Sequence, residues 1–248
     1  MYQTLVFKPL YNSLVGLLDI IPWIDIGIAV ILFTIIVKLV LYPLSKSSIM
    51  TQIRMKEIEP EVNKIKNQYQ NDRQTQALKT MELYKTKNIK PFSGILLLFI
   101  QLPILLALIS VFYKIIPTIQ SQYLYSFVSA PDINTLFLGI IDLTQKSIIL
   151  SLLVAIVQFL QMHFSPAMRQ NKNTQINQND ISAQLQRTMG GQMKYGLPIF
   201  AFVSIYWIIP SSFPQASGVI ALYWITSSLF TLFQELYVRN KLSSRNKI

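Results

Sequence analysis

A cation inside an otherwise apolar stretch makes a specific chemical demand. Lys38 lies within residues 24–43, IDIGIAVILFTIIVKLVLYP, a run long enough to cross a bilayer. An ammonium near the centre of such a helix costs about 2.5–3.5 kcal/mol on insertion scales, so it turns toward water or a partner, or snorkels to the headgroups. Other polar groups share its setting. Gln101 stands two residues before Pro103 in an apolar run, Gln158 and Gln161 lie one turn apart in another, and Ser227, Thr231 and Gln234 fall at i, i+4 and i+7 in a third. Amides, hydroxyls and one lysine make no bond and break none. Their chemistry is solvation, through neutral hydrogen bonds and a single positive charge. Taken singly, each side chain reads as interhelical glue, with the hydroxyls bonding back to a carbonyl one turn earlier. Taken together with Lys38, they line a wet cavity that faces several helices.

Reactive chemistry finds little material. There is no cysteine, and His163 is the one histidine and lacks an HExxH context, so neither a disulfide framework nor a zinc site is expected. No GxxxxGK[ST] phosphate loop and no GxSxG elbow occurs. Carboxylates within the apolar runs are nearly absent, Glu235 lying near the end of the last, which disfavours proton- or sodium-coupled transport. No catalytic residue, metal or cofactor is expected, and the chain is not read as an enzyme.

The elements that must hold these groups are membrane helices. The chain is 52% hydrophobic and 13% charged, with its apolar residues in long blocks. Five blocks qualify as crossings, at residues 24–42, 92–116, 147–163, 195–209 and 217–238, the third and fourth being short for the hydrocarbon thickness. Of the 22 Lys and Arg, all but Lys8, Lys38, Lys114 and Lys146 fall in the loop 44–91, the loop after the third block or the tail. The positive-inside rule then places the N-terminus outside and the tail in the cytoplasm. The fold class is therefore an all-α, multi-pass membrane protein. Most of the net charge of +11 is this topology signal, and the basic cytoplasmic face would also attract anionic lipid or ribosomal RNA.

Two further segments read separately. Residues 1–23 lack a basic n-region and a cleavage site, and Leu10, Leu14, Leu17 and Leu18 recur at helical spacing, so an interfacial amphipathic helix ending at Pro22-Trp23 is expected. Residues 44–91 read as a cytoplasmic helical hairpin. Met55, Ile58, Val62, Ile65 and Tyr69 step by three and four, and after Gln70-Asn71-Asp72 a second stretch follows with Ala77, Met81 and Tyr84 inward and Leu78 flanking. Pro60 suits a first helical turn. The expected organisation is thus 1–23, first crossing 24–43, hairpin 44–91, and 92–248 with the other four crossings, all one membrane domain.

Several of these features in series resemble the YidC/Oxa family of membrane-protein insertases. They are Pro60-Glu61 opening the hairpin, Tyr69 and Asp72 at its turn, Leu83-Tyr84-Lys85 at its end, and Gln101-x-Pro103 in the second crossing. The last crossing adds Leu222-Tyr223-Trp224, Ser227 and Gln234, while Lys8-Pro9-Leu10 and Leu41-Tyr42-Pro43-Leu44 flank the first. The resemblance covers essentially the whole chain. It implies a five-helix insertase of a bacterial cytoplasmic membrane, with a cytoplasm-open hydrophilic groove in the inner leaflet. The family's groove carries a cation on the first crossing, usually arginine; Lys38 occupies that position and keeps charge without the bidentate fork. Lys90-Pro91 stands where Asn-Pro is common, and residues 210–218 form a looser final external turn. No large external domain is expected ahead of the first crossing, as in the short Gram-positive-like form, and no long ribosome-binding tail.

The implied activity is insertion and chaperoning of nascent membrane proteins. Lys38 would offer a transient counter-charge to acidic segments, Gln101, Gln158, Gln161, Ser227, Thr231 and Gln234 would line the groove, and the hairpin residues Pro60, Glu61, Tyr69, Asp72 and Tyr84 would shape a receiving element. Expected partners are nascent substrates, with the ribosome, signal-recognition machinery and a Sec translocon as further candidates, and anionic lipids; no dedicated DNA binding is expected. Two other classes stay open. A channel or uncoupled transporter would use Lys38 to attract anions. A membrane scaffold would bind partners through the hairpin and use its buried polar groups for packing alone.

Overall fold

The computed structural model describes residues 2–116, 118–165 and 194–245. Arg169, Lys172, Arg187 and Lys247, which enter the charge asymmetry, lie outside the described residues. The protein is mostly helical. A π-helical turn, Gln3–Phe7, leads into α1 (Lys8–Ile20), whose Pro9 sits in the first turn where its missing N–H is harmless. The periodic apolar face of α1 is turned into the protein: Tyr11, Leu14, Val15 and Leu18 are buried against α2 (Ile26–Val40) and α6 (Ser93–Ile115). Asn12 fastens it, donating to the carbonyls of Lys8 (2.8 Å) and Tyr123 (2.9 Å) and accepting from the Tyr125 N–H (2.6 Å).

Asp25 starts α2 by accepting from the Ile28 N–H at 2.9 Å, and its second oxygen accepts from the Leu138 N–H at 3.0 Å. The helix ends at Leu41. Pro43 can neither donate to the carbonyl of Leu39 nor fit its ring against it, and the chain bends by 66° into α3 (Tyr42–Glu57). The segment expected as a two-helix hairpin therefore contains three helices. α3 packs on α6 and on α9 (Ser217–Arg245), and only α4 (Glu59–Gln68) and α5 (Arg73–Thr86) form the hairpin itself.

That hairpin is held largely by polar contacts. Asp72 caps α5 through the Gln74 and Thr75 N–H groups (3.1 and 3.0 Å) and the Thr75 hydroxyl (2.6 Å). Gln76 donates to the Lys66 carbonyl at 3.1 Å, and Lys87 meets Glu61 at 2.8 Å. The expected inner face of α5 is corrected here. Ala77, Leu78 and Met81 are exposed, whereas Gln76, Thr80, Leu83 and Tyr84 are half-buried. The Asp72 cap and the Gln76 bond fix the rotation of a helix whose apolar residues are too few to choose it.

At the other end of the bundle two short strands, β1 (Leu136–Phe137) and β2 (Ile141–Asp142), pair antiparallel, Leu136 opposite Asp142. This small element was not expected from the sequence. Its ring at Phe137 packs on Gly27 of α2, where no Cβ would fit. α7 (Ile148–Phe164) follows, capped by Ser147 accepting from the Leu150 N–H at 3.3 Å. α8 (Lys194–Ser212) widens into a π turn at Ser204–Ile208 just before Pro210, which denies the Tyr206 carbonyl its usual donor. α9 begins where Gly218 donates to the Leu143 carbonyl at 3.1 Å; a Cβ there would lie 2.7 Å from the Leu143 backbone.

Among the described residues, α8 and residues Ser217–Leu242 of α9 are long and apolar enough to cross a membrane, and the bent pair α2–α3 makes a third if taken as one span. Residues Phe99–Ile115 and Ile148–Phe164 are apolar but shorter. The buried core gathers α1, α2, the second half of α6, α7, α8 and the start of α9.

Candidate functional site

α9 is the spine of the polar arrangement, packing on α7 along one side and on α2 and α3 along another. Lys38 lies in the last turn of α2, half-buried, and its ammonium donates to the Thr231 hydroxyl at 3.2 Å. That hydroxyl in turn donates to the Ser227 carbonyl at 2.9 Å, so the i, i+4 stripe forms a relay pointing at Lys38. Lys38 takes no part in the Lys79–Glu82 and Lys87–Glu61 salt bridges, and among the described residues the acceptor it holds is the Thr231 hydroxyl. A half-buried ammonium with a neutral partner leaves much of its charge to be met by water or another polar group.

Gln234, one turn further along α9, is 5% exposed and closes the seam on the far side of the bend. Its amide donates to the Ser45 hydroxyl at 2.5 Å and to the Tyr42 carbonyl at 3.4 Å, joining α9 to both sides of Pro43. Beside it, an apolar crevice of about 340 Å³ opens between Leu39, Tyr42, Phe230, Phe233 and Tyr237. Toward the core, the Tyr223 hydroxyl faces the side chains of Ser227 and Gln101, which brings α6 into the same set. Lys38, Thr231, Ser227, Gln101 and Gln234 are thus gathered by α2, α3, α6 and α9.

The α7 glutamines stand apart. Gln158 accepts from the Trp224 indole N–H at 3.1 Å, and no hydrogen bond among the described residues joins it or Gln161 to Lys38. Further along this face Glu235 is buried, with one oxygen 3.5 Å from the Ser165 hydroxyl and the other without a hydrogen-bond partner among the described residues. Arg239, one turn on, also has a buried nitrogen with no such partner among them. Tyr223, Trp224 and Ser45 were not singled out as site residues. Tyr223 extends the stripe back by one turn from Ser227 and was findable that way; Ser45 lies beyond a bend that breaks helical spacing.

The hairpin residues prove to be builders of that element. Pro60 occupies the first turn of α4, Tyr69 ends it, Glu61 pairs with Lys87, and the Tyr84 carbonyl accepts from the buried Ile89. The Thr75 hydroxyl and N–H hold the Asp72 carboxyl below the usual carboxylate range. Outside these ties, Leu78 is 60% exposed on α5.

Comparison with known proteins places this arrangement in context. A family model described as 60Kd inner membrane protein matches residues 18–245. A membrane protein insertase YidC from Fusobacterium nucleatum subsp. nucleatum is 31% identical over 217 residues, covering 88% of this chain and 87% of that protein. Proteins of the same name from Rickettsia bellii and Francisella philomiragia subsp. philomiragia are each 28% identical, covering 88% and 89% of this chain. The chain spans only 36% and 34% of those two longer relatives.

Proposed function

The chain belongs to the 60Kd inner membrane protein family, and from that membership we propose that it inserts nascent membrane proteins into a bacterial cytoplasmic membrane. In this reading it crosses five times, through α2, α6, α7, α8 and α9, with the N-terminus outside and the tail inside. The α4–α5 hairpin then stands in the cytoplasm. The proposed division is 1–23 at the outer surface, the first crossing at 24–43, a cytoplasmic segment 44–91, and 92–248 carrying the rest.

The work is solvation rather than catalysis. Moving an acidic tail through hydrocarbon strips water from its charges and its backbone groups. The seam between α2, α6 and α9 offers replacements: the Lys38 ammonium for a carboxylate, and the Ser227, Thr231, Gln101 and Gln234 groups for the backbone. Lys38 is free to do this because it holds only the Thr231 hydroxyl, which a carboxylate displaces at small cost. The apolar crevice beside Gln234 adjoins lipid, so a hydrophobic segment released there meets hydrocarbon. Gln158 and Gln161 would extend the polar surface along α7. The half-buried Lys38 ammonium, which among the described residues meets a neutral hydroxyl and no carboxylate, is the single observation that carries this reading.

Purified protein in liposomes, supplied with a single-spanning substrate bearing an acidic external tail, tests it. Protease protection of the tail is expected with wild type and Lys38→Arg, and its loss with Lys38→Leu. A tail with neutral residues should be far less sensitive to the substitution. Equal insertion by all three proteins would reduce Lys38 to a snorkelling residue, and no insertion by folded wild type would return the protein to the scaffold reading.

A further inference from the structure

A second cavity lies at the end of the bundle remote from the α4–α5 hairpin, where the turn before α7 meets the last turns of α8. It measures about 510 Å³, within the range of small-molecule sites. Thr144, Gln145, Lys146, Tyr206, Trp207 and Ser211 line it. Its hydrogen-bonding capacity is lopsided. The Thr144 hydroxyl and the Gln145 amide donate to Asp142, at 2.7 and 3.0 Å, and the Ser211 hydroxyl donates to the Ile208 carbonyl at 2.7 Å. The Lys146 ammonium and the Trp207 indole N–H have no hydrogen-bond partner among the described residues, and Lys146 enters no salt bridge there. The lining also carries neutral acceptors, the Gln145 amide oxygen and the hydroxyl oxygens, but its spare charged group is the Lys146 ammonium.

Lys146 is also held in place. Its ammonium stands 5.1 Å from the centre of the Tyr206 ring, and Trp207 packs edge-on against the same ring at 4.7 Å. Both aromatics lie on the π turn of α8, a distortion frequent at functional sites. Asp142 is the nearby carboxylate. Its oxygens accept from the Thr144 N–H and hydroxyl and from Gln145, so they are occupied. On the two helices that flank the cavity, Trp207 and Ile208 of α8 and Ile148, Ile149 and Leu152 in the first turns of α7 expose large apolar side chains. A free phosphate would have no use for them.

We propose that this cavity binds the phosphate of an anionic phospholipid, Lys146 and Trp207 donating to its oxygens while the acyl chains lie along the exposed faces of α7 and α8. The proposal goes beyond insertion and stands without it. With the topology above, the lipid belongs to the outer leaflet, on the face opposite the basic loops.

Lipid retention by the full chain in detergent, read by native mass spectrometry with phosphatidylglycerol or phosphatidylcholine as probe, tests the site. Losing one charge-assisted hydrogen bond corresponds to about ten-fold weaker retention of phosphatidylglycerol by Lys146→Gln. Lys146→Arg and the charge-matched control Lys8→Gln should retain it as wild type does, and Trp207→Phe should weaken it less than Lys146→Gln. Equal retention by wild type and Lys146→Gln would overturn the proposal, as would an equal loss in Lys8→Gln, which marks diffuse charge. Equal retention of phosphatidylcholine would remove the selection for an anionic lipid. Displacement of the lipid by soluble glycerol phosphate at matched concentration would show a site for free phosphate instead.

Discussion

Replacing Lys38 by leucine should make the protein more stable and less active. Lysine and leucine differ by about 3 kcal/mol at the centre of a spanning helix. Lys38 lies in the last turn of α2 and is half-buried, so roughly half of that difference applies. Against it stands the bond to Thr231 at 3.2 Å, a net contribution of about 1 kcal/mol. The remainder favours Lys38→Leu by roughly 0.5–1 kcal/mol, a rise in Tm of about 1–4 °C for a chain of this size. Activity moves the other way. Two unit charges about 4 Å apart exchange about 4 kcal/mol at an effective dielectric near 20, and removing that attraction slows the step it assists by up to about a thousand-fold. Thermal unfolding in detergent and the initial rate of tail protection in liposomes read the two effects separately. Thr231→Val supplies the opposite case, because it strands the ammonium: it should lose about 1–2 kcal/mol while insertion persists. A Lys38→Leu protein that melts several degrees lower and inserts at the wild-type rate would refute the reasoning, since Lys38 would then be a packing tie.

Other outcomes follow from the ties described above. Asp72→Ala should speed amide exchange at the start of α5 with the membrane body unaffected. Because the folded Asp72 carboxyl titrates below its ordinary range, its cap is fully present above that range and fades only as pH falls through the lowered value; the protection of the Gln74 and Thr75 amides, their exchange relative to the intrinsic rate at each pH, should stay constant from neutral to mildly acidic pH in wild type. Gly218→Ala drives a Cβ into the Leu143 backbone and should cost about 1–3 kcal/mol in thermal unfolding, whereas Gly16→Ala, which meets open space, should not. Asn12→Leu strands the Tyr123 carbonyl and the Tyr125 N–H and should cost about 2–4 kcal/mol by the same measurement. Removing residues 58–84 should lower insertion in liposomes, and unchanged insertion would count against a receiving role for the hairpin.

The parts of the fold that rest on periodicity or on one residue's covalent chemistry were legible early. The helix over 148–164 follows from its apolar length, the start of α4 from Pro60, and the start of α5 from Asp72. The face of α5 was not, because Ala77, Leu78 and Met81 offered the strongest apolar pattern and polar bonds overruled it. α3 was hidden by Pro43, which was read as the end of a crossing although it also opens a helix. The β1–β2 hairpin depends on Asp25 and Gly27, residues more than a hundred positions away, and no local signal announces such a contact. In the site, spacing puts 227, 231 and 234 along one side of α9, and the bond from Lys38 to Thr231 then ties that stripe to α2. The clasp from Gln234 to Ser45 crosses a bend, and the Trp224–Gln158 bond joins two helices whose relative rotation the sequence leaves open.

The bend at Pro43 also gives the molecule a crank. α3 has 16 residues and so reaches about 24 Å from the pivot, with the α4–α5 hairpin mounted at its far end. A swing of about 5° at the pivot carries that end through about 2 Å, by the length of the arm alone. Near the pivot the same swing would be small, and there the Gln234 clasp ties Tyr42 and Ser45 to α9, one turn from Thr231. Because α3 also packs on α6 and α9, a load at the hairpin would have to carry those helices with it, and only a small part of the swing would reach the Lys38 ammonium.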